Sequence, residues 1–235
     1  MDRPFYPEKI FPLIIQILPY LAVTFEVMLG VLIVGLVLGF LLAKGSLSKK
    51  NWKRKTAGFI INVFRCTPPI VMLFVVFYGL PMLFWAIFQV DINDWSKAFF
   101  VIAALGLLFS ANASEIMRSS YLAVPPGQRE AALTSGLTET QAFVRIILPQ
   151  AFVVSLPNLG NSLIVLLKEG SLAFTIGLID IMGKGNLLIS LNFGAYAIET
   201  YIALAIIYWV LTIAFEQLFK WLEKKFSKGR KSISQ

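Results

Sequence analysis

Polar side chains within long apolar segments are the residues of this sequence best suited to bind a ligand. Asn158, Asn161 and Lys168 recur at spacings of three and seven residues, so they lie on one face of a helix. Glu169 and Ser171 follow in the chain. Ionisable groups at membrane depth are usually functional or paired. This face therefore predicts either the lining of a ligand pathway or hydrogen bonding between membrane helices.

The string Lys168-Glu169-Gly170-Ser171 interrupts the apolar run and predicts a helix break. A broken helix exposes backbone groups and terminal partial charges, which suits a small zwitterion. The alternative is that Lys168 and Glu169 only mark the outer membrane interface.

A second polar group lies in a different apolar segment. It contains Asn112 and Glu115, and Arg118 follows three residues after Glu115. That spacing predicts an i,i+3 ion pair near one end of a membrane helix. Asn112 and Glu115 are otherwise candidates for ligand contact, by the same argument about polar groups at membrane depth.

The composition excludes several kinds of chemistry. The 235 residues include no histidine and one cysteine, Cys66, so a histidine base, an internal disulfide and a cysteine-based zinc site are all excluded. We expect Cys66 to be a small packed residue. The nearest string to a phosphate-binding loop has five residues between Gly177 and Gly183 and no hydroxyl after Lys184. We therefore expect no catalytic residue, no metal site and no cofactor in this chain.

Long apolar blocks position these polar residues. Hydrophobic residues make up 57% of the chain and charged residues 14%, against roughly 45–50% and 25% in soluble domains. A membrane span needs about 20 apolar residues. The sequence predicts an all-α membrane bundle in one domain, residues 1–235. Its five spans are residues 18–43, 57–88, 98–117, 146–167 and 196–219.

Three local features qualify these spans. Gly35-x-x-x-Gly39 in the first span is a pattern that allows close helix approach. The second span should break near residues 65–69, because Pro68 and Pro69 disfavour a continuous helix. Residues 172–182 are too few to cross a membrane and predict a short re-entrant segment, which residues 183–186 close.

The net charge of +8 is concentrated in two segments, with six lysines or arginines each in residues 44–55 and 220–231. Both flank apolar spans, which favours membrane orientation over a nucleic-acid partner. Five crossings place both segments and residues 118–145 on the cytoplasmic side. They place the N-terminus and the acidic loop, residues 91–94, outside. An even number of spans would put one basic segment outside.

The first part of residues 118–145 contains the signals of a short helix. Pro125-Pro126-Gly127 predicts a turn, and residues 128–134 then form the helix. Gly136 is suited to end it, since glycine readily adopts a left-handed conformation.

A second helix should follow the glycine elbow. Thr138, with Gln141 three residues later, predicts a capping box at its start, and the helix runs towards Pro149. These residues alone predict either a solvated connector or a docking site for a soluble partner.

A pattern of small residues runs through both helices. Glu130-Ala131-Ala132 is followed by Gly136 after three residues and by Ile146-x-Leu148-Pro149 after nine more. The spacing resembles that of the EAA loop of ABC importer permeases throughout.

Two further strings resemble the branch of that family that imports amino acids. Residues 64–68 and 78–81 resemble its FRGTP…YxGLP segment, with Cys66 in place of the usual glycine. Residues 167–172 and 176–177 resemble its LLKDTSL…IG segment, with Glu169 and Gly170 as substitutions for Asp and Thr.

The resemblance implies a type I importer in the bacterial cell membrane. Two permease chains, identical or homologous, form the pathway, and an extracellular or periplasmic binding protein delivers the substrate. Two ATPase subunits bind the ATP and dock on the EAA loops. Closure of the ATPases switches the permeases between inward- and outward-facing states. Four residues would then couple this chain to its ATPase: Glu130, Ala131, Ala132 and Gly136.

The resemblance also favours a substrate-binding role for the polar faces described above. Glu169 would contact the ammonium of an amino acid, and Lys168 or amides near Ser171 would contact its carboxylate. Asn161, Asn112 and Glu115 would contribute to the same pathway.

The substrate is indicated by residues 173–183, which resemble permeases associated with cystine and related sulfur amino acids. The alternatives are an importer of another small polar solute and an ion-coupled secondary transporter. The latter usually has an internal repeat of spans, which this sequence lacks. An intramembrane enzyme would need a nucleophile–base pair or metal ligands.

Overall fold

The computed structural model describes residues 5–226, and the regular structure in that range is helical throughout. Residues 1–4 and 227–235, which include part of the predicted basic tail, lie outside the described range. Five stretches are long and apolar enough to cross a membrane: Pro7–Ser46, Pro69–Phe88, Lys97–Leu122, Glu139–Ile176 and Ala197–Phe226. The predicted all-α bundle with five spans is confirmed.

Short 3-10 or π-helical turns join some of the α-helices into longer continuous stretches. In chain order the α-helices are α1 (Ile10–Ile17), α2 (Leu21–Ser46), α3 (Asn51–Cys66), α4 (Pro69–Phe88), α5 (Lys97–Leu122), α6 (Pro126–Thr134), α7 (Glu139–Ala142), α8 (Leu148–Gly170), α9 (Ile181–Leu191) and α10 (Ala197–Phe226).

The centre of the bundle is α5, the most buried of the five spans. The neighbouring α2 packs on it through glycines. A Cβ on Gly39 would lie 3.0 Å from the carbonyl oxygen of Ser110, and one on Gly35 would lie 2.5 Å from the ring of Phe109. These distances are shorter than normal carbon contacts. The two helices approach this closely because both positions lack a side chain, so the predicted role of the glycine pattern is confirmed.

One end of the bundle carries three connected features. The glycines of α2 meet residues of α5 in ascending order, from Ile102 to Ala113, so these helices run in the same direction. The turn after α2 and the segment after α5 therefore lie at the same end. The end of α10 joins them, since Phe226 packs edge-on against Phe152 near the start of α8.

The opposite end carries the N-terminal segment. Tyr6 packs against Tyr196, just before α10, with ring centroids 5.8 Å apart. At the start of α5, Nζ of Lys97 donates a hydrogen bond to the carbonyl oxygen of Gly177 at 3.2 Å. The first and last described residues therefore lie at opposite ends of the bundle, as an odd number of crossings requires.

The predicted break in the second span is confirmed at Thr67 and Pro68, where the backbone is extended between α3 and α4. The prediction that Cys66 is packed is wrong, because its side chain is exposed. α3 buries the face that contains Ala57. Cys66 is nine residues further on, which places it on the opposite side of the helix.

The α-helix ends at Gly170, within the break predicted at residues 168–171, but the helical path is not broken there. A 3-10 helix over Ser171–Ile176 continues α8. The hydroxyl of Ser171 donates to the carbonyl oxygen of Lys168 at 2.6 Å, so it satisfies a backbone group of the last α-helical turn. The chain turns only at Gly177, whose φ of 80° is left-handed.

The segment predicted to be re-entrant, residues 172–182, divides between two elements. Its first half belongs to the 3-10 helix, and its last residues open α9, which also contains the predicted closing turn, residues 183–186. Asp180 caps α9, since its Oδ1 accepts a hydrogen bond from the amide of Gly183 at 2.8 Å. With 11 residues, α9 is too short to cross a membrane.

Candidate coupling and translocation sites

The segment between α5 and α8 folds as an elbow, and Gly136 forms its corner. The φ of Gly136 is 85°. Its amide donates to the carbonyl of Leu133 at 3.0 Å, and the amide of Leu137 donates to the carbonyl of Ala132 at 3.1 Å. This pair of bonds is a Schellman motif, which satisfies the end of α6. The predicted left-handed glycine is confirmed.

The second half of the elbow starts with the predicted capping box. Oγ1 of Thr138 accepts from the amide of Gln141 at 3.3 Å, and Oε1 of Gln141 accepts from the amide of Thr138 at 3.0 Å. The helix runs towards Pro149 as predicted and continues beyond it. A π-helical turn over Phe143–Ile147 joins α7 to α8, and Pro149 lies in the first turn of α8, where it is tolerated. The second arm of the elbow and the fourth span are therefore one continuous helix, Glu139–Ile176.

Side-chain contacts hold the two arms of the elbow together. Arg129 of α6 forms an ion pair with Glu139 of α7, with Nε and Oε2 3.0 Å apart. Nε2 of Gln150 donates to Oε1 of Gln128 at 3.3 Å. The apolar side rests on a small buried cluster of Val124, Ile147 and Ala151. The elbow is thus folded by contacts within the chain.

The four predicted coupling residues lie together on this elbow but do not all face outward. Glu130, Ala131 and Gly136 are exposed, whereas Ala132 is only 7% exposed and packs against its own chain. A Cβ on Gly136 would meet nothing within 4 Å. The outward surface therefore combines small residues with one carboxylate, and no cation within residues 5–226 pairs with that carboxylate.

On α8 the predicted polar face is exposed. Asn158, Asn161 and Lys168 are all exposed, and Val165 lies between them with 48% of its surface exposed. None of the hydrogen bonds formed within residues 5–226 involves the side chains of the three polar residues. In a lone chain this polar face would contact lipid, which is costly for an amide or an ammonium.

On α5 the predicted ion pair is confirmed. Nη2 of Arg118 lies 2.8 Å from Oε2 of Glu115, and both side chains are about one-third exposed. Asn112 is exposed, although its neighbours Ala111 and Ala113 are buried.

Asn112 and Asn161 lie at a similar depth in the bundle. Leu105 of α5 and Leu166 of α8 line the same small cavity, and the two helices run in opposite directions. Asn112 is seven residues beyond Leu105, and Asn161 is five residues before Leu166. At 1.5 Å per residue, both lie roughly 8–10 Å from the cavity, towards the elbow. Within the described range no hydrogen bond joins them.

The other predicted ligand residues sit at the end of α8. Lys168 is exposed, while Glu169 and Ser171 are half-buried. Because the hydroxyl of Ser171 is bonded to the backbone of Lys168, its role in the chain alone is structural. The carboxylate of Glu169 has no hydrogen-bond partner among residues 5–226.

A buried polar group that was not predicted from the sequence lies beside the end of α8. Oγ1 of Thr24 accepts from the amide of Ile181 at 3.3 Å, and the capping residue Asp180 is only 2% exposed. Both line the small cavity together with Gly170. The available signal was Asp180 at a helix start, three residues before Gly183. This group fixes α9 against α2.

A second missed residue is Glu199 near the start of α10. It is 1% exposed, and its Oε1 accepts a hydrogen bond from the amide of Tyr6 at 2.7 Å. An acidic residue at the start of an apolar run was the only sequence signal. The contact ties the N-terminal segment to the last span.

A membrane helix bundle with a folded elbow at one end and an exposed polar face defines a transport subunit that is driven by another protein. The chain belongs to the family described as binding-protein-dependent transport system inner membrane component, whose model matches residues 35–228. The resemblance to ABC importer permeases is confirmed.

Individual relatives agree with this family. The chain is 37% identical to the L-cystine transport system permease protein TcyL of Bacillus subtilis (strain 168), over 99% of this chain and 96% of the relative. It is 34% identical to the arginine transport system permease protein ArtQ of the same organism, over 93% of this chain and 95% of the relative. A crystal structure of an amino acid ABC transporter with histidines matches with a TM-score of 0.78 and 32% identity, over 96% of this chain and 100% of that chain.

The family and relatives define the protein's general role. It is a multi-pass membrane permease of an ABC amino acid importer and is not an enzyme. ATP is handled by a partner ATPase, and a binding protein is the second soluble partner.

Proposed function

We propose that this permease imports cystine or a related sulfur amino acid, and that the polar faces of α5 and α8 line its translocation pathway. The observation that carries the proposal is the exposed face of Asn158, Asn161 and Lys168 on a membrane span. Polar side chains in lipid are costly, so this face is expected to lie against water, substrate or another protein. A second permease chain, identical or homologous, supplies the other wall.

The charges at the end of α8 support a zwitterionic substrate. Glu169 binds the ammonium group, and Lys168 or the amides near Ser171 bind the carboxylate. Because the helical path continues through this point, few backbone groups are free to bind the substrate. The side chains therefore contribute more of the binding than they would beside a broken helix. Asn161, Asn112 and Glu115 line the route towards the elbow, where Glu115 stays paired with Arg118.

Cationic amino acids are the second candidate substrate class, because the arginine permease is 34% identical. The 37% identity to the cystine permease favours the first candidate.

Coupling is assigned to the outward face of the elbow. Glu130, Ala131 and Gly136 seat in a groove of the ATPase, and Ala132 keeps α6 packed on its own chain. Because the second arm of the elbow and α8 are one continuous helix, and α6 is bonded to that arm, closure of the ATPases moves the polar face directly. This gives the alternating access expected of an importer.

The proposed topology places the elbow in the cytoplasm, the N-terminus outside and the C-terminus inside. It rests on the basic residues at the elbow end of the bundle. Cysteines at Asp94 and Lys225, introduced after Cys66→Ser, test it with an impermeant thiol reagent on intact cells. Position 94 should label and position 225 should not, and the reverse pattern would refute the topology.

The substrate assignment is tested with the complete transporter, including its binding protein, reconstituted in proteoliposomes. Cystine should stimulate ATP hydrolysis and enter the vesicles, and a large excess of arginine should not compete. Arginine uptake without cystine uptake would replace the first candidate with the second.

A further inference from the structure

Residues 44–55 form a basic hairpin, which comprises the end of α2, the turn after it and the start of α3. Its six cations are all exposed: Lys44, Lys49, Lys50, Lys53, Arg54 and Lys55. No acidic residue occurs anywhere between Glu26 and Asp91. The hairpin therefore has no internal counter-charge nearby in sequence.

The tertiary structure does not supply a counter-charge either. The ion pairs formed within residues 5–226 involve Glu115, Glu139 and Glu216, and none of them reaches the basic hairpin. Arg54 donates only to the amide oxygen of Asn51, at 3.3 Å. By contrast, Arg129 in the elbow at the same end of the bundle is paired within the chain.

The turn of the hairpin is tightly closed by contacts of its own. A Cβ on Gly45 would lie 3.0 Å from Cβ of Ala57 across the turn. The hydroxyl of Ser46 donates to the carbonyl of Ala43 at 2.8 Å, and the hydroxyl of Ser48 accepts from the amide of Lys50 at 3.2 Å. The cations are thus held on a preformed turn, and none of the bonds that close the turn comes from a charged group.

Apolar groups beside the cations favour a membrane surface as the partner. Trp52 is 66% exposed, and Nζ of Lys53 lies 5.6 Å from the centre of its ring. Leu47 in the turn is 38% exposed. Tryptophan prefers the headgroup region of a bilayer, and clustered cations next to a membrane helix attract acidic headgroups.

We propose that the basic hairpin is a binding site for the headgroups of acidic phospholipids, in the leaflet on the elbow side of the membrane. The assignment of that leaflet to the cytoplasmic side rests on the proposed topology. Membrane orientation alone would require positive charge during insertion but no lasting dependence on the headgroup. A binding site predicts that the assembled transporter retains acidic lipid and works better with it.

The test uses the assembled transporter in nanodiscs of phosphatidylcholine, with or without phosphatidylglycerol. Native mass spectrometry counts the retained lipids, and substrate-stimulated ATP hydrolysis is measured in the same discs. The main variant carries Lys49→Gln, Lys50→Gln, Lys53→Gln and Arg54→Gln. The matched control carries Lys49→Arg, Lys50→Arg, Lys53→Arg and Lys55→Arg, which keeps every charge.

The wild type should retain phosphatidylglycerol preferentially and hydrolyse ATP faster in its presence. Each cation near an acidic surface strengthens the attraction about fivefold. The preference of the glutamine variant for phosphatidylglycerol should therefore be at least about tenfold weaker than that of the wild type. The arginine control should behave as the wild type. Raising the salt concentration should weaken the preference in the wild type as well, because screening acts on exposed charges. This last measurement does not depend on the folding of any variant.

The proposal would be overturned if the wild type retained both lipids equally. It would also be overturned if the glutamine variant preferred phosphatidylglycerol as strongly as the wild type does. Loss of the ATPase from the glutamine variant in phosphatidylcholine discs would also overturn it, and would assign the hairpin to an acidic surface of the ATPase. Labelling of Trp52→Cys by an impermeant reagent on intact cells would overturn the proposed topology instead. Since nanodiscs expose both leaflets, the lipid count would remain valid.

Discussion

The second arm of the elbow and the polar face of α8 belong to the same continuous helix, yet the elbow and the face satisfy their polar groups in opposite ways. The elbow bonds its own ends through the Schellman motif at Gly136 and the capping box at Thr138. The face of Asn158, Asn161 and Lys168 forms no side-chain hydrogen bond within residues 5–226. The elbow is thus folded by bonds within the chain, and we propose it as the surface on which the ATPase docks. The face lacks such partners, and we propose it as one wall of the translocation pathway.

This difference predicts how substitutions should act. Changes in the elbow should affect coupling to the ATPase and leave substrate affinity unchanged. Changes on the polar face should affect substrate affinity and leave basal ATP hydrolysis unchanged. The following substitutions test this separation, from the largest expected effect to the smallest.

Gly136→Asp should abolish coupling. It forces a branched, charged side chain onto a backbone with φ of 85°, which disfavours residues other than glycine. The open space around Gly136 means that the bundle itself should still fold. We expect normal amounts in the membrane but no co-purifying ATPase. Gly194→Asp, at a left-handed glycine with open space at the opposite end of the bundle, is the matched control and should hold the ATPase; if Gly136→Asp also holds the ATPase as the wild type does, the elbow is not the docking surface.

Glu169→Gln should weaken apparent substrate affinity and spare basal ATP hydrolysis. A charge-assisted hydrogen bond is worth roughly 1.5–3 kcal/mol, which corresponds to a loss of roughly 10- to 150-fold. Uptake measured across substrate concentrations, together with basal ATP hydrolysis, checks this. Glu216→Gln on α10 removes a similar charge away from the pathway and should leave affinity unchanged. Poor assembly with unchanged affinity would mean that Glu169 is structural.

Thr138→Ala should loosen the start of α7 without abolishing transport. Loss of an N-cap costs about 1 kcal/mol, so amide hydrogen exchange near Gln141 should rise about fivefold. Thr138→Ser keeps the hydroxyl and should restore protection. Unchanged exchange in the alanine variant would show that the π-helical turn and the apolar cluster hold this helix without the cap.

Arg129→Gln should have the smallest effect. Its ion pair with Glu139 is solvent-exposed, and exposed pairs contribute roughly 0–1 kcal/mol. Transport and ATPase docking should stay within about twofold of the wild type. A large loss of docking would instead show that Arg129 itself contacts the ATPase.

The elbow could be predicted in detail because its signals are local. The helix of α6, the left-handed Gly136 and the capping box of Thr138 each depend on residues a few positions apart, and all three are confirmed. The end of the α-helix at Gly170 was also predicted, but the expected break after it is absent, because contacts there continue the helical path. A charged string followed by glycine usually interrupts a helix, but Ser171 bonds to Lys168 and the helix continues to Gly177.

The sequence by itself determined the five spans, the odd number of crossings, the elbow and the close approach at Gly35 and Gly39. Apolar length, caps and small residues act over one or two helical turns, so each can be recognised in the chain. Only the tertiary structure decided which sides are buried. It exposed Cys66, turned Ala132 inward, and buried Asp180 and Glu199 against Thr24 and Tyr6. These outcomes depend on residues up to 193 positions apart, whose approach is set by the packing of whole helices.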